Sequence, residues 1–345
     1  MKYDIHIIGG GVSGSVAAYQ LAKSGLSVIV SEEDARIGFP SHCTGVVSTR
    51  GLIESGFDYR KAILNRFYGA RIIAPDGEEI IVKRKDVQAY LVDRSLLDII
   101  YSENAENAGA IIKTGVRISS KKQYMAEVII GADGANSTIA EIEGFPKIRK
   151  FARGYQEIIS HKDIVNDNMV NVYLSQKLFP GFFGWVVPVC DGKAIIGFGA
   201  SKNIPIGGIM KKFMEWAEIR ENYKTEHKFG GMIPLGIRAR LQKSNVLLVG
   251  DAGGFAKATS GGGVYYSTLS AKMAAKCIAD NCISDYERMI AKTIKELKLH
   301  MYLREVYNLL DDFTINSIVR FIRFTKLYKY IEEKGDMDYV SSLFK

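Results

Sequence analysis

The sequence predicts an α/β protein with three parts: a Rossmann-type dinucleotide-binding domain, an antiparallel-sheet domain and a C-terminal helical region. Three observations lead there. A strand, a glycine turn and a helix open the chain; two later strands each end in a Gly-Asp or Gly-Ala-Asp turn; and residues 286–345 show helical periodicity with no glycine before Gly335. With 345 residues, 47% hydrophobic and 24% charged, the chain has the make-up of a globular protein able to bury two cores of ordinary size.

The first element is the strand Tyr3–Ile8, running into Gly9-Gly10-Gly11-Val12-Ser13-Gly14 and then an Ala- and Leu-rich helix that ends at Gly25. This is G-x-G-x-x-G in its required setting. Gly9 permits the turn, Gly11 lets a pyrophosphate approach the backbone, and Gly14 lets helix and strand pack closely. The helix N-terminus then presents free N–H groups and a positive dipole end to the phosphates. A second strand, Leu26–Val30, delivers Glu32, 18 residues after Gly14, to accept from both ribose hydroxyls. An acidic residue there disfavours a 2′-phosphate, so FAD or NAD is expected rather than NADP.

Two further turns choose between them. Val128–Ile130 leads into Gly131-Ala132-Asp133-Gly134-Ala135-Asn136-Ser137, and Val246–Val249 leads into Gly250-Asp251-Ala252-Gly253-Gly254. Asp133 and Asp251 thus sit at carboxyl ends of buried strands, where open α/β sheets bind ligands. Ser260-Gly261-Gly262-Gly263-Val264 opens another helix, Tyr265–Ala279, whose N–H groups suit the pyrimidine edge of a flavin.

In this order the motifs resemble the flavoprotein monooxygenase superfamily that includes para-hydroxybenzoate hydroxylase. Within it the chain looks most like the geranylgeranyl reductases, over residues 1 to about 285. Four stretches carry that likeness: the cysteine loop Ile37–Gly45, the helix start Val92–Asp98, the aromatic segment Phe183–Pro188, and the flavin-ring loop Lys257–Tyr266. The resemblance implies FAD as cofactor and assigns Gly9, Gly11, Ser13, Gly14, Glu32, Cys43, Thr44, Arg94, Val116, Asp133, Asp251, Gly262, Gly263 and Val264 to it. It also implies Phe183, Trp185 and Tyr265 as substrate contacts and Cys43 as the catalytic residue. Ala258 departs from the usual proline and Val187 from the usual aromatic, so the substrate wall differs from the family pattern.

The implied activity is flavin-dependent saturation of carbon–carbon double bonds in geranylgeranyl chains of membrane ether lipids. Two other readings stand beside it: an oxygen-using flavin monooxygenase or halogenase, and a non-catalytic flavin-binding or lipid-carrier protein. Electrons would come from NAD(P)H or a ferredoxin-like carrier, since no second nucleotide fingerprint is found.

Several residues carry two readings. Cys43, next to His42, is a proton donor or only a backbone contact to FAD. Arg94 neutralises a phosphate or caps its helix region. Phe183 and Trp185 share one face of a strand and either line a prenyl tunnel or pack a core.

These turns place a discontinuous FAD-binding domain over 1–62, 88–150 and 241–285, with 63–87 and 151–240 forming the antiparallel-sheet substrate domain and 286–345 the helical region. Strands are expected around Pro75-Asp76-Gly77, Pro180-Gly181 and Asp191-Gly192. One helix is expected over 318–331, with Arg320, Arg323, Lys326 and Lys329 on one half and Ile318, Phe321, Phe324, Leu327, Tyr328 and Ile331 on the other. Its apolar half either packs on the FAD domain or contacts a membrane peripherally.

Charge and cysteines bound the rest. The net charge is 46 − 38 = +8, and residues 151–270 hold an excess of five, 14 basic against nine acidic. No basic arm or basic-aromatic pattern accompanies it, which argues against nucleic acid. Four cysteines with no C-x-x-C pair and five scattered histidines give neither a disulfide framework nor a metal site. The chain enters a strand directly, and no apolar run is long enough to span a bilayer, so a cytoplasmic protein is expected, with peripheral membrane attachment as the variant.

Overall fold

The computed structural model describes residues 2–160, 167–190, 192–219 and 223–344. The opening strand β1 (Ile5–Ile8), helix α1 (Val12–Lys23) and strand β2 (Val28–Ser31) form the expected unit, and both strands are fully buried. Even His6 fits inside, because its Nε2 faces Ser31 Oγ at 2.8 Å and its Nδ1 accepts from the Met125 amide. Next come β3 (Val46–Ser48), α2 (Thr49–Ser55), β4 (Ile63–Phe67), β5 (Gly69–Ile73), β6 (Glu79–Lys83) and β7 (Ala89–Val92). Helix α3 (Arg94–Asn107) starts where the Asp93 carboxylate caps the Leu96 amide. Strands β8 (Ile111–Lys113) and β9 (Val128–Gly131) and the short α4 (Thr138–Ile142) follow.

The middle of the chain is strand-rich, as its turn residues predict: β10 (Phe151–Ser160), β11 (Met169–Tyr173), β12 (Gly184–Pro188), β13 (Lys193–Ala200), α5 (Ile206–Trp216) and β14 (Lys224–Pro234). Asp191 of the expected Asp191-Gly192 turn lies outside the described residues. The chain then returns through β15 (Gln242–Lys243), β16 (Val246–Leu248), α6 (Gly250–Gly253) and α7 (Val264–Ala279). It closes with α8 (Tyr286–Met289), α9 (Ala291–Asn308), α10 (Asp312–Phe324) and α11 (Leu327–Lys334).

Three sheets result. The first runs β15-β16-β9-β1-β2-β8 and is parallel except at β15, so β1 ends between β9 and β2. The second runs β14-β10-β13-β12-β11-β5-β6, with β11 and β5 as its one parallel pair. The third is β3-β7-β4. Around the first sheet α1, α3 and α7 bury one continuous apolar core, from Ile7 and Val16 through Leu97 to Ala274. A second cluster, containing Phe67, Leu91, Phe182, Trp185, Val187, Ile195, Leu235 and Ala258, joins the third sheet to the large antiparallel one.

The C-terminal region corrects one expectation. Residues 318–331 are not one helix: α10 stops at Phe324, Lys326 adopts φ +57, and α11 begins at Leu327. Two of the four basic groups are also engaged, Arg320 with Asp76 (2.6 Å) and Arg323 with Glu78, at the β5–β6 turn. Together α10 and α11 cover β6, which would otherwise be an open edge of the antiparallel sheet. No helix among the described residues is long and apolar enough to cross a membrane.

Candidate functional site

The carboxyl end of β1 builds the first part of the site. Gly9 takes φ +104, and a Cβ on Gly14 would run into the Gly9 carbonyl oxygen, so both glycines are required by the protein's own packing. Gly11 differs: a Cβ there would meet nothing within 4 Å. It is also the N-cap of α1 and has no side-chain cap, which leaves the amides of the first turn open. Space and free donors together form a cradle for an anion, and a pyrophosphate matches it. Ser13 is buried in that first turn against Gly250. Glu32 closes the other wall, its carboxylate accepting from the Gly10 amide (2.7 Å) and the Asp34 amide (2.9 Å), while its carbonyl accepts from the Val116 amide.

Two of the aspartates turn out unlike. Asp133 spends its carboxylate locally, on Ser137 Oγ (2.6 Å) and the Ile139 amide (2.9 Å), as an anchor for α4. Asp251 stands in the first turn of α6 beside Gly263. Burial pushes its carboxyl up, and the charge of Arg94 pulls the other way.

Arg94 meets Asp98 at 2.8 Å, one helical turn on. Burial opposes its charge, yet Asp98 and then Cys43 hold it charged and raise its pKa. Its Nε is buried with no partner. A buried guanidinium nitrogen with no partner suits an anionic ligand, as does the open Gly11 cradle, so the residues fit FAD.

Cys43 is brought to Arg94 because the cysteine loop is stitched to α3 and β7. Ser95 Oγ donates to the Gly38 carbonyl (2.7 Å), and Gly45, at φ +89, sits so close to the Val92 carbonyl that only glycine fits. The Cys43 side chain is exposed, and its Sγ accepts from the Gly45 amide at 3.4 Å.

Gln156 links this loop to the aromatic segment, and sequence reasoning missed it. It lies on β10, only 3% exposed, and its Oε1 accepts from Thr44 Oγ1 (2.7 Å) and Trp185 Nε1 (3.3 Å). Its Nε2 donates to the His42 carbonyl at 3.4 Å. Trp185 packs edge-on to Phe183 at 5.8 Å, and Phe183 stacks on Phe182 at 4.4 Å. Tyr265 belongs elsewhere: its hydroxyl pairs with that of Tyr339 (2.8 Å), and its ring lies in the core of the first sheet rather than in the Trp185 cluster.

The C-terminal region supplies residues that no motif announced. Lys257, at the foot of the Gly262-Gly263-Val264 turn, forms a buried ion pair with Asp338 at 2.8 Å. Arg304 donates to the Ala258 and Thr259 carbonyls (2.8 and 2.6 Å) and covers the Phe182 ring; burial lowers its pKa to about 10. His300 holds Thr259 Oγ1 at 2.6 Å.

Burial lowers both His6 and His300 from 6.5 to about 4. Each is therefore neutral in the fold and protonated more readily once unfolded. The resulting penalty is absent above about pH 6.5 and grows as the pH falls toward about 4. Thermal unfolding followed by circular dichroism should show Tm dropping over that window, and substituting Gln for His300 should flatten the drop.

Among the described residues no cluster of side chains could hold a metal ion.

Similar proteins point to the same cofactor. The family described as FAD dependent oxidoreductase matches residues 4–74. Digeranylgeranylglycerophospholipid reductase 2 of Methanothermobacter thermautotrophicus is 27% identical, with 93% of this chain and 91% of the relative covered. A geranylgeranyl bacteriochlorophyll reductase-like crystal structure from Thermoplasma acidophilum shares the fold with a TM-score of 0.85 at 22% identity, over 99% of this chain and 94% of that one. The halogenase PltM, crystallised with phloroglucinol and FAD, follows at a TM-score of 0.72 and 14% identity, over 97% of this chain and 84% of that one.

Proposed function

We propose that this chain, a geranylgeranyl reductase-like FAD-dependent oxidoreductase, saturates carbon–carbon double bonds of the geranylgeranyl chains of ether lipids. The observation that carries the reading is Gln156, which joins the Cys43–Thr44 loop to the Trp185 wall. Through it the loop that carries Cys43 is tied to an apolar wall that reaches the glycine turn at Gly261, where a Cβ would lie 3.3 Å from both Phe182 and Ile233. An uncharged chain that needs one proton fits such a place.

FAD, when bound, supplies the hydride that reaches one alkene carbon. The chain's own residues do the rest. An isolated alkene is a poor acceptor, so Phe182, Phe183 and Trp185 must hold it dry and in line. Cys43 Sγ holds the proton destined for the second carbon, and Arg94 beside it offsets the charge left on sulfur. Being exposed, Cys43 regains its proton from solvent. Asp251, the glycine turn at Gly262-Gly263 and the Gly11 cradle would hold the cofactor. Electrons arrive from NAD(P)H docking transiently or from a ferredoxin-like carrier meeting the basic middle segment.

The test is anaerobic incubation of dithionite-reduced protein with digeranylgeranylglyceryl lipid. Flavin reoxidation and a mass gain of two hydrogens per reduced bond are expected; a product that forms only with oxygen would instead mark a monooxygenase or halogenase. In the same assay Cys43→Ser should keep its full FAD content and react roughly a hundredfold more slowly, the usual worth of a general acid. An unchanged rate removes Cys43 from proton transfer.

A further inference from the structure

The outward side of α10 carries phenylalanines where a surface helix ordinarily carries polar groups. Val319 and Ile322 turn inward against Ile72, Ala74 and Ile80, and Ile315 is buried as well. At 100° per residue Phe313, Phe321 and Phe324 fall on the opposite side, and they are 79%, 61% and 88% exposed. Leu309 before the helix is 86% exposed, and Leu327 after it is also exposed. The helix is thus apolar on two sides, of which the fold uses one.

Two basic groups border this stripe, and others lie further along α11. Lys326 and Lys329 at the α10–α11 break are exposed and have no carboxylate within ion-pair distance among the described residues. Helix α11 packs along β6, whose end opens into a hollow of about 540 Å³ lined by Tyr68, Lys83, Arg84, Lys85 and Asn168. The ammonium groups of Lys83 and Lys85 likewise form no ion pair among the described residues, although the Lys83 amide donates to Glu332 Oε1 at 3.0 Å. Arg84 donates only to carbonyls of Glu332 and Gly335 and to Gln88, so its charge is uncompensated by an ion pair.

We infer that the α10–α11 face docks the protein on an anionic lipid bilayer, with Phe313, Phe321 and Phe324 entering the headgroup boundary and the lysines around them meeting lipid phosphates. Aromatic side chains and adjoining cations are the pair of features an interfacial helix uses. The choice of a bilayer over another protein rests on the lipid substrate proposed above and on this basic border. Docking there would set the catalytic domain beside the phase that holds its substrate.

The full-length flavoprotein should cosediment with vesicles of equal parts phosphatidylglycerol and phosphatidylcholine, and far less with phosphatidylcholine alone. Phe313→Ser/Phe321→Ser/Phe324→Ser should lower the partition coefficient at least about tenfold, since burying one phenylalanine side chain already accounts for roughly that factor. Lys326→Glu/Lys329→Glu should weaken binding severalfold and blunt its salt dependence. FAD content and Tm stay unchanged in both, which separates docking from folding. Vesicle binding that is absent in the wild type, or undiminished in the triple variant, overturns the proposal. So does a dimer in sedimentation equilibrium that the triple variant dissolves while vesicle binding persists, because the stripe then joins two copies of the chain. Alkene reduction is read separately on a short soluble prenyl substrate: a protein that binds vesicles but saturates no alkene keeps the docking face and loses the substrate reading.

Discussion

Gly11→Val yields a protein that folds and melts as the wild type does without cofactor, yet purifies free of FAD. The two halves of this result have different causes. Gly11 sits at φ −72 and ψ −166, which valine adopts without strain, and a Cβ there meets nothing within 4 Å. The fold therefore has no use for glycine at this position. A ligand does, because a branched side chain fills the space in front of the uncapped first turn of α1. Losing two charge-assisted hydrogen bonds at about 1.5–3 kcal/mol each lowers FAD affinity by at least roughly a hundredfold. Flavin absorbance per chain after purification and the Tm of the stripped protein are the two readouts. Gly14→Val is the control: its side chain collides with the Gly9 carbonyl, so it should fail to fold rather than merely fail to bind. If Gly11→Val retained stoichiometric FAD, the cradle would lie elsewhere.

That contrast also marks what could be read from the chain in advance. Gly9, Gly11, Gly14 and Glu32 were legible because backbone conformation and spacing within a single strand–turn–helix unit fix their geometry. The strand-rich character of 168–199 was legible for a similar reason, from the turn residues at Pro180-Gly181. Gln156 was not. Its partners, Thr44 and Trp185, lie 112 and 29 residues away, and nothing near it in sequence distinguishes it from an outward-facing glutamine. The break at Lys326 escaped as well, since a lysine with positive φ carries no glycine to announce it and the apolar period runs on across it. Asp133 shows the reverse case: a strand-end aspartate in a convincing glycine context whose carboxylate is engaged by Ser137 and Ile139. Local patterns locate turns well, while the use each turn's side chain is put to depends on what folds back onto it.

Asp338→Ala tests another such return and should be the most destabilising single change in the C-terminal region. Lys257 and Asp338, 81 residues apart, meet at 2.8 Å with side chains only 7% and 2% exposed. Removing the carboxylate leaves a buried ammonium whose one remaining oxygen partner is the Met337 carbonyl (2.7 Å). Breaking a buried pair from one side costs about 3–5 kcal/mol, a large share of a typical folding free energy. Replacing both partners is different: Lys257→Met/Asp338→Leu removes both desolvation penalties and should recover most of the loss. The pair also governs the turn it anchors. The Lys257 amide donates to the Gly262 carbonyl, and its carbonyl accepts from Ser260 and Gly261, so a displaced Lys257 moves the amides of Gly262 and Gly263 with it. On the reading that those amides face the flavin, Asp338→Ala should release FAD faster as well as unfold at lower urea. The double variant should regain stability but not the full residence time of FAD, because methionine cannot be held in place by a hydrogen bond. Urea denaturation separates the first effect, and stopped-flow release of FAD fluorescence the second. Equal losses in the single and double variants would mean that the two side chains pack independently and that the ion pair has no part in holding the turn.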